Sequence, residues 1–468
     1  PMINRELTGK RPHFRQIGRA SNPYRVLLWL GLIVGGVWLF LQIQRGEVKP
    51  LFLPTPTPTR TANSFIMEGE TRFIAGDLEG AIAAYRQATE IDPTNARVWA
   101  ELARIQTYSS SLLSTDEDRF KRLEEALDSI NQAVALNPDD VLVHAIRSLV
   151  LDWYASSFLL TPEQRRAALT EAESAAVRAL QLDNQNALAL AFYAEILVDQ
   201  QKWSQAEEYI KRAAELGSDL MDVHRVYGYV WESLAQYRLA IEEYQKAAEI
   251  NPNLTFLYIF IGRNFLSLKV HNRALEYFER AASINKQLGV KDPIPYIEIA
   301  KTYTRDGEFF AAALNAQKAL EFDPTNANTY GQLGIIYTKS RNYEGAMPAL
   351  RCAVRGCSAA ENQVAQDLLG QGVEVKGLPL TSGTVAFYYL QYASVLAALS
   401  RPNQNYCPEA LAILEEVRVA FPTDELFLGI IEENKAICNL VGRTPTPGFP
   451  TPEAEATPSQ GNVKSPSY

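Results

Sequence analysis

At 468 residues the chain is long enough for one large domain or several small ones, and its 47% hydrophobic content is ordinary for a folded protein. The net charge of −9 is unevenly spread: residues 1–25 carry Arg5, Lys10, Arg11, Arg15, Arg19 and Arg25 against Glu6 alone, so the remainder carries −14. An acidic body argues against nucleic acid as a partner, because neutralising phosphates needs clustered Lys and Arg.

The basic segment, residues 1–23, runs into an uncharged stretch, VLLWLGLIVGGVWLFLQI, from Val26 to Ile43. As a helix it spans roughly 27 Å, close to the hydrocarbon core of a bilayer. Trp29 and Trp38 lie towards its two ends, where amphipathic rings favour the interface. The stretch is too long for a signal-peptide core and no small-residue cleavage site follows, so residues 24–44 read as an uncleaved anchor in the lipid bilayer. Positive charge crowds its N-terminal flank. The positive-inside rule therefore puts the N-terminus in the cytoplasm and everything after Ile43 outside it. Gly31 and Gly35 have the small-residue spacing of helix dimers in membranes, a weak pointer to a homodimer.

Residues 45–61 contain LPTPTPTR, Leu53 to Arg60. Alternating Pro fixes φ and removes backbone donors, which predicts an extended, semi-rigid spacer. It separates the membrane from the body of the chain, residues 62–441.

The body is periodic. Gly69, Ala81, Tyr85, Ala88 and Pro93 recur at the same spacing as Gly228, Ala240, Tyr244, Ala247 and Pro252. One alanine returns at Ala81, Ala126, Ala172, Ala206, Ala240, Ala274, Ala312, Ala346 and Ala410, and four of those steps are 34 residues. This pattern resembles the tetratricopeptide repeat (TPR) family over about residues 62–440. The resemblance implies an all-α fold: a right-handed superhelical solenoid of about nine antiparallel helix pairs, closed by a capping helix after Pro422. Repeats three, four, six and eight carry Asn184, Ser218, Lys286 and Ser358 where the others carry the closing Pro. The tail, residues 442–468, is rich in Pro, Thr and Ser and is expected to be disordered.

Three places break the period. Repeats two and three each gain about a dozen residues between their helices, and the gains resemble each other: SSLLSTDED from Ser110 and SSFLLTPEQ from Ser156. Ser114 with Glu117, and Thr161 with Pro162 and Gln164, read as helix starts. Lengthened hairpins then carry Leu112, Leu113, Phe158, Leu159 and Leu160 at their tips. Two readings stand: the tips pack on each other, or they form an apolar docking patch. The third break, about 30 residues from Ser358, combines a short amphipathic helix at Val364, Leu368 and Leu369 with a Gly-rich loop. It either covers the array or reaches a partner.

The four cysteines all lie in the C-terminal third. Cys407 opens the last repeat's second helix and Cys438 lies about as far back along the antiparallel cap, so the two should meet. Cys352 and Cys357 flank Gly356 at a helix end and form a second disulfide candidate. Free buried thiols are the alternative. A metal site is not expected, because no C-x-x-C pair exists. His144 and His224 occupy the first-helix slot that Trp99 and Tyr330 fill elsewhere, so packing accounts for them. No G-x-S-x-G, glycine-rich phosphate loop or H-E-x-x-H occurs, and neither an enzyme nor a cofactor is expected.

In tetratricopeptide arrays the first helices line a concave groove. The Lys, Arg and Asn set that clamps a terminal carboxylate in chaperone-tail capture is not reproduced here. The groove-facing slots instead hold Phe192, Glu195, Arg225, Tyr229, Phe256, Ile259, Phe260 and Arg263. Either these side chains meet neighbouring helices as the superhelix tightens, or they bind an extended or helical segment of another protein. The leading expectation is a membrane-anchored extracytoplasmic scaffold that assembles an envelope complex, similar to signal-anchored tetratricopeptide proteins of bacterial envelopes. The alternative is a client-binding chaperone or import-receptor-like protein that captures apolar segments in the groove.

Overall fold

The computed structural model describes residues 22–45 and 60–441. The expected basic segment (to residue 21), the spacer from 46 to 59 and the tail 442–468 lie outside the described residues. The chain divides between Arg60 and Thr61 into two units.

In the first unit, α1 (Pro23–Gln44) starts on Asn22, whose side chain accepts from the Tyr24 N–H, with Pro23 at the first helical position. Its mean hydropathy is 2.3, and among the described residues it alone is long and apolar enough to cross a membrane. Length and composition carry that statement, and a signal sequence would meet the same test.

The second unit is a run of helix pairs. The first three are α2 (Ala62–Ile74) with α3 (Leu78–Ile91), α4 (Ala96–Ser110) with α5 (Asp116–Leu136), and α6 (Val141–Ala155) with α7 (Pro162–Leu182). Then come α8 (Ala187–Asp199) with α9 (Trp203–Leu216), α10 (Met221–Ser233) with α11 (Tyr237–Ile250), and α12 (Thr255–Ser267) with α13 (His271–Leu288). The array continues with α14 (Ile294–Asp306) and α15 (Phe309–Phe322), then α16 (Ala327–Lys339) and α17 (Tyr343–Arg355). After the short α18 (Gln363–Leu369), the pair α19 (Gly383–Leu399) and α20 (Cys407–Ala420) leads to the cap α21 (Glu425–Val441). Among the described residues there are no strands beyond two isolated bridges, Cys357 with Val375 and Arg401 with Gln404.

Three recurrent contacts build the array. The periodic alanines, from Ala81 to Ala410, are all fully buried, so second helices approach without side-chain bulk. A first-helix glycine receives the side chain sixteen positions on: Tyr85 on Gly69, Tyr244 on Gly228, Phe278 on Gly262 and Leu350 on Gly334. A ring in the first helix then donates to the backbone carbonyl six residues earlier, tying it to the end of the previous repeat. Trp99 reaches Pro93 at 3.0 Å, Tyr258 reaches Pro252 at 2.7 Å and Tyr330 reaches Pro324 at 3.1 Å. His144 and His224 fill the same slot, with Nε2 2.7 Å from the Pro138 oxygen and 2.9 Å from the Ser218 oxygen.

Repeats three and four close without proline. The Asp183 N–H donates to Ala179 and the Gly217 N–H to Ala213, the same bond that Asn251 makes to Ala247 before Pro252. Repeat six differs: α13 runs through Lys286 and stops at Gly289, in the left-handed region at φ 71°. The turn inside a pair often needs a positive φ. Gly76 and Gly307 supply it, but Gln201, Ala235, Lys269 and Arg341 adopt it with a side chain, at φ 57–62°.

The two lengthened pairs have second helices of 21 residues, α5 and α7, against 13 or 14 in most others. Thr161 and Gln164 form the expected capping box. At α5 the expected cap is corrected by one position: Thr115, not Ser114, accepts from the Asp118 N–H, while the Ser114 hydroxyl donates to Asp323 far along the chain. The hairpins touch through Phe120 and Tyr154, stacked at 5.3 Å. The third break covers the array. Val364 and Val375 are buried in the core of α15–α17, and Asn362 Nδ2 donates to the Tyr330 hydroxyl at 2.9 Å.

Cys352 pairs with Cys357 and Cys407 with Cys438, leaving no free cysteine among the described residues. The second pair ties α20 to the cap across 31 residues. Converting Cys407 and Cys438 to serine is expected to cost about 2–4 kcal/mol, read as a loss of urea resistance that reductant reproduces in the parent. Gly262→Ala would set a Cβ 2.3 Å from Phe278 Cε1. It should destabilise by about 1–3 kcal/mol, with part of the loss recovered in Gly262→Ala/Phe278→Leu. Simple additivity of the two changes would contradict the notch contact.

Candidate functional site: a charged cavity inside the groove

The last turns of α4, α6, α8 and α10 converge with α12 around a cavity of about 380 Å³. The size is ordinary for a small-molecule or side-chain site. At its floor Arg225 is 2% exposed and grips Glu195 with two hydrogen bonds, of 2.7 and 2.6 Å. Trp153 Nε1 donates to the same carboxylate at 3.1 Å. The guanidinium also lies over the rings of Tyr108 and Trp153, at 5.4 and 5.5 Å. Beside it Asp222 accepts from the Tyr108 hydroxyl and, at 2.9 Å, from Arg104. Tyr108 stacks on Phe256 at 5.5 Å. These contacts join the second repeat to the fifth and sixth, so the groove is closed across by the chain itself.

Each base in the lining has an ion-pair partner: Arg225 has Glu195, Arg263 shares Glu298 with Lys301, and Arg119 has Asp116 at 3.5 Å. Three acids have no cationic partner among the described residues. Glu232 accepts from the Tyr244 hydroxyl and from Asn264, both at 2.9 Å, and Asp199 accepts from the Tyr229 hydroxyl at 2.5 Å. Asp152 is 2% exposed and its Oδ1 has no hydrogen-bond partner among them. Burial, then the charges of Asp199 and Glu195, hold the Asp152 carboxyl well above its ordinary range. Burial pushes Asp199 up to about 6 despite the Tyr229 hydrogen bond.

The sequence-predicted groove residues Arg225, Tyr229, Phe256, Ile259, Phe260 and Arg263 all line this cavity. Phe192 is a correction. It is fully buried in the shared core, because packing between successive first helices claims the face that was assigned to a partner. Phe256 and Ile259, at 2% and 3% exposure, show the cavity only an edge. Of the hairpin-tip residues, Leu112 and Phe158 line the same cavity, so tip and groove are one site rather than two. Phe158 is 81% exposed and Leu159 47%; Leu160 is buried, and Leu113 is half-buried outside the lining. Sequence reasoning missed Asp152, Asp199, Glu232, Trp153 and Arg119. A signal existed for the acids: three successive first helices place a carboxylate in their last turn, where the helix dipole disfavours it. No group of His, Cys, Asp and Glu suited to a metal occurs among the described residues.

A tandem array of helix pairs around an internal groove defines the α-solenoid class of interaction protein. Residues 69–106 match the family description "TPR repeat", and residues 227–254 and 315–347 match "Tetratricopeptide repeat". The chain therefore contains tetratricopeptide repeats, a kind of repeat that supports a protein-interaction scaffold. No curated protein matches it in sequence. Solved structures that resemble it include yeast Tom70, at 13% identity and TM-score 0.44 over 82% of this chain and 90% of that one. The Cut9–Hcn1 hetero-tetramer of the APC/C gives 14% and 0.45, over 86% and 81%. A thermophilic TPR protein of Thermus thermophilus, TTC0263, gives 17% and 0.36, over 44% and 100%.

The raised Asp199 sets a sign for pH dependence. The folded state holds this proton more tightly than the unfolded chain, so stability present below about pH 4 is lost as pH rises through about 6. Asp199→Asn keeps an acceptor for Tyr229 and removes the charge. The variant should exceed the parent by on the order of 2 kcal/mol in urea unfolding at about pH 8, the gap closing near pH 4. A variant weaker than the parent at the higher pH would contradict the buried-charge account.

Proposed function

We propose that the chain is a membrane-anchored scaffold that gathers protein partners of an envelope assembly. Residues 24–44 hold it in the bilayer, residues 1–23 face the cytoplasm, the spacer 45–61 sets the stand-off, and the repeats of 62–441 work outside the cytoplasm. Two cysteine pairs suit an oxidising compartment. Gly31 and Gly35 have nothing within 4 Å of a built Cβ and offer a close-approach face to a second copy.

The single observation that carries the reading is the cavity lined by successive first helices from α4 to α14, with the exposed Phe158 in its lining. A promiscuous client-binding chaperone needs a broad apolar groove, and the burial of Phe192, Phe256 and Ile259 leaves little of one.

Photo-crosslinking residues installed at Phe158, and at Phe310 on the outside of α15 as a comparison, test this in cells. Both positions are highly exposed, at 81% and 87%. One or a few discrete membrane-fraction adducts from position 158 and none from 310 are expected. A continuous smear from position 158 would favour the chaperone. Equal adducts from both sites, or a soluble protein, would sink the anchored-scaffold reading.

A further inference from the structure

The cavity has an electrostatic imbalance that points to its occupant. Asp152, Asp199 and Glu232 all line the cavity without an ion pair among the described residues; Asp199 and Glu232 have hydroxyl or amide neighbours, and Asp152 Oδ1 has no hydrogen-bond partner there at all. The last turns of four helices meet there, and each directs the negative end of its dipole to the same space. Each base in the lining already has an acidic partner, and only Arg225 Nε among their buried nitrogens has no hydrogen-bond partner among the described residues. The half-buried Phe260 adds an aromatic wall to the lining, with an apolar edge from Ile259. Buried carboxylates under an aromatic wall are the chemistry that receives an ammonium or guanidinium group on an aliphatic stem.

We propose that the cavity binds the side chain of a Lys or Arg presented by a protein partner, its cationic head between Asp152, Asp199 and Glu232 and its stem against Phe260. This rests on the scaffold reading and supplies the recognition chemistry of that site. The groups facing the carboxylates are known from each packed element: Glu195 and Asp199 on α8 and Arg225 on α10 face Asp152, and Glu195 and Tyr229 face Asp199. Arg225 is committed to Glu195, so an incoming cation meets net negative charge. Binding favours the ionised acids and releases the protons they hold at lower pH.

The test is calorimetry on the full chain in detergent micelles. The probes are blocked pentapeptides that differ only in a central Lys, Arg, Gln or Glu, with butylamine as a free amine. The Lys or Arg peptide should bind at least about tenfold more tightly than the Gln and Glu peptides. Its affinity should fall by about tenfold between about pH 8 and pH 5, as the carboxylates protonate. Asp152→Asn and Asp199→Asn should each weaken binding about tenfold without lowering the melting temperature, while the exposed control Glu242→Gln leaves binding unchanged. Equal binding of all four peptides would overturn the cation assignment and leave the scaffold reading intact. Butylamine binding without any peptide would keep the cation site and remove this cavity from the scaffold reading. No binding by any cationic probe overturns the proposal.

Discussion

A pair of short antiparallel helices cannot bury its own apolar side, and this constraint organises the whole array. The solution is repeated almost unchanged. A glycine in the first helix leaves a notch, and an aromatic or leucine side chain from the second helix fills it. The ring that follows in the next repeat ties itself to the preceding carbonyl. Because one contact acts within a pair and the other between pairs, each repeat is locked to its neighbour. The regularity holds the last turns of the first helices in register, and that register brings three acids from three repeats into one cavity.

The periodic parts of this fold were readable in the sequence because each depends on a few residues close together. The alanine row, the glycine notches, the Thr161 capping box and the short helix in the third break are of this kind. The ring slot was legible too, although its chemistry varies: Trp99, His144, His224 and Tyr330 serve one purpose with different donors. What could not be read is the closure of the groove. Tyr108 meets Asp222 and Phe256 only because the superhelix tightens by a definite amount per repeat, and no local pattern encodes that amount. The same cause explains the misassignment of Phe192, whose slot is groove-facing in a wider coil and core in this one. It also explains why hairpin tip and groove read as separate patches. The unpaired acids were readable in principle, as carboxylates at the wrong ends of their helices, but the pattern acquires meaning only when those ends are seen to converge.

The cavity floor shows how a buried charge is tolerated. Arg225 satisfies Glu195 with both terminal nitrogens and lies over two aromatic rings, so most of its burial is compensated, while its Nε has no hydrogen-bond partner among the described residues. Asp152 has no such compensation. A fully matched ion pair and an unmatched acid in one space make different demands: the first fixes geometry, the second stores an unmet attraction.

The hydroxyl of Ser114 reaches Asp323 across 209 residues, Asn253 reaches Ile74 across 179, and Tyr108 reaches Asp222 across 114. A solenoid whose contacts join only adjacent repeats can begin to order anywhere and spread outward, one unit at a time. These bridges change the order of events. Loops of more than a hundred residues must close before they are rewarded, so the chain carries the slow, long-range steps of a globular domain inside a repeat architecture. The first two repeats and the fifth to seventh therefore order together, late and cooperatively, and the cavity exists only once most of the array is in place.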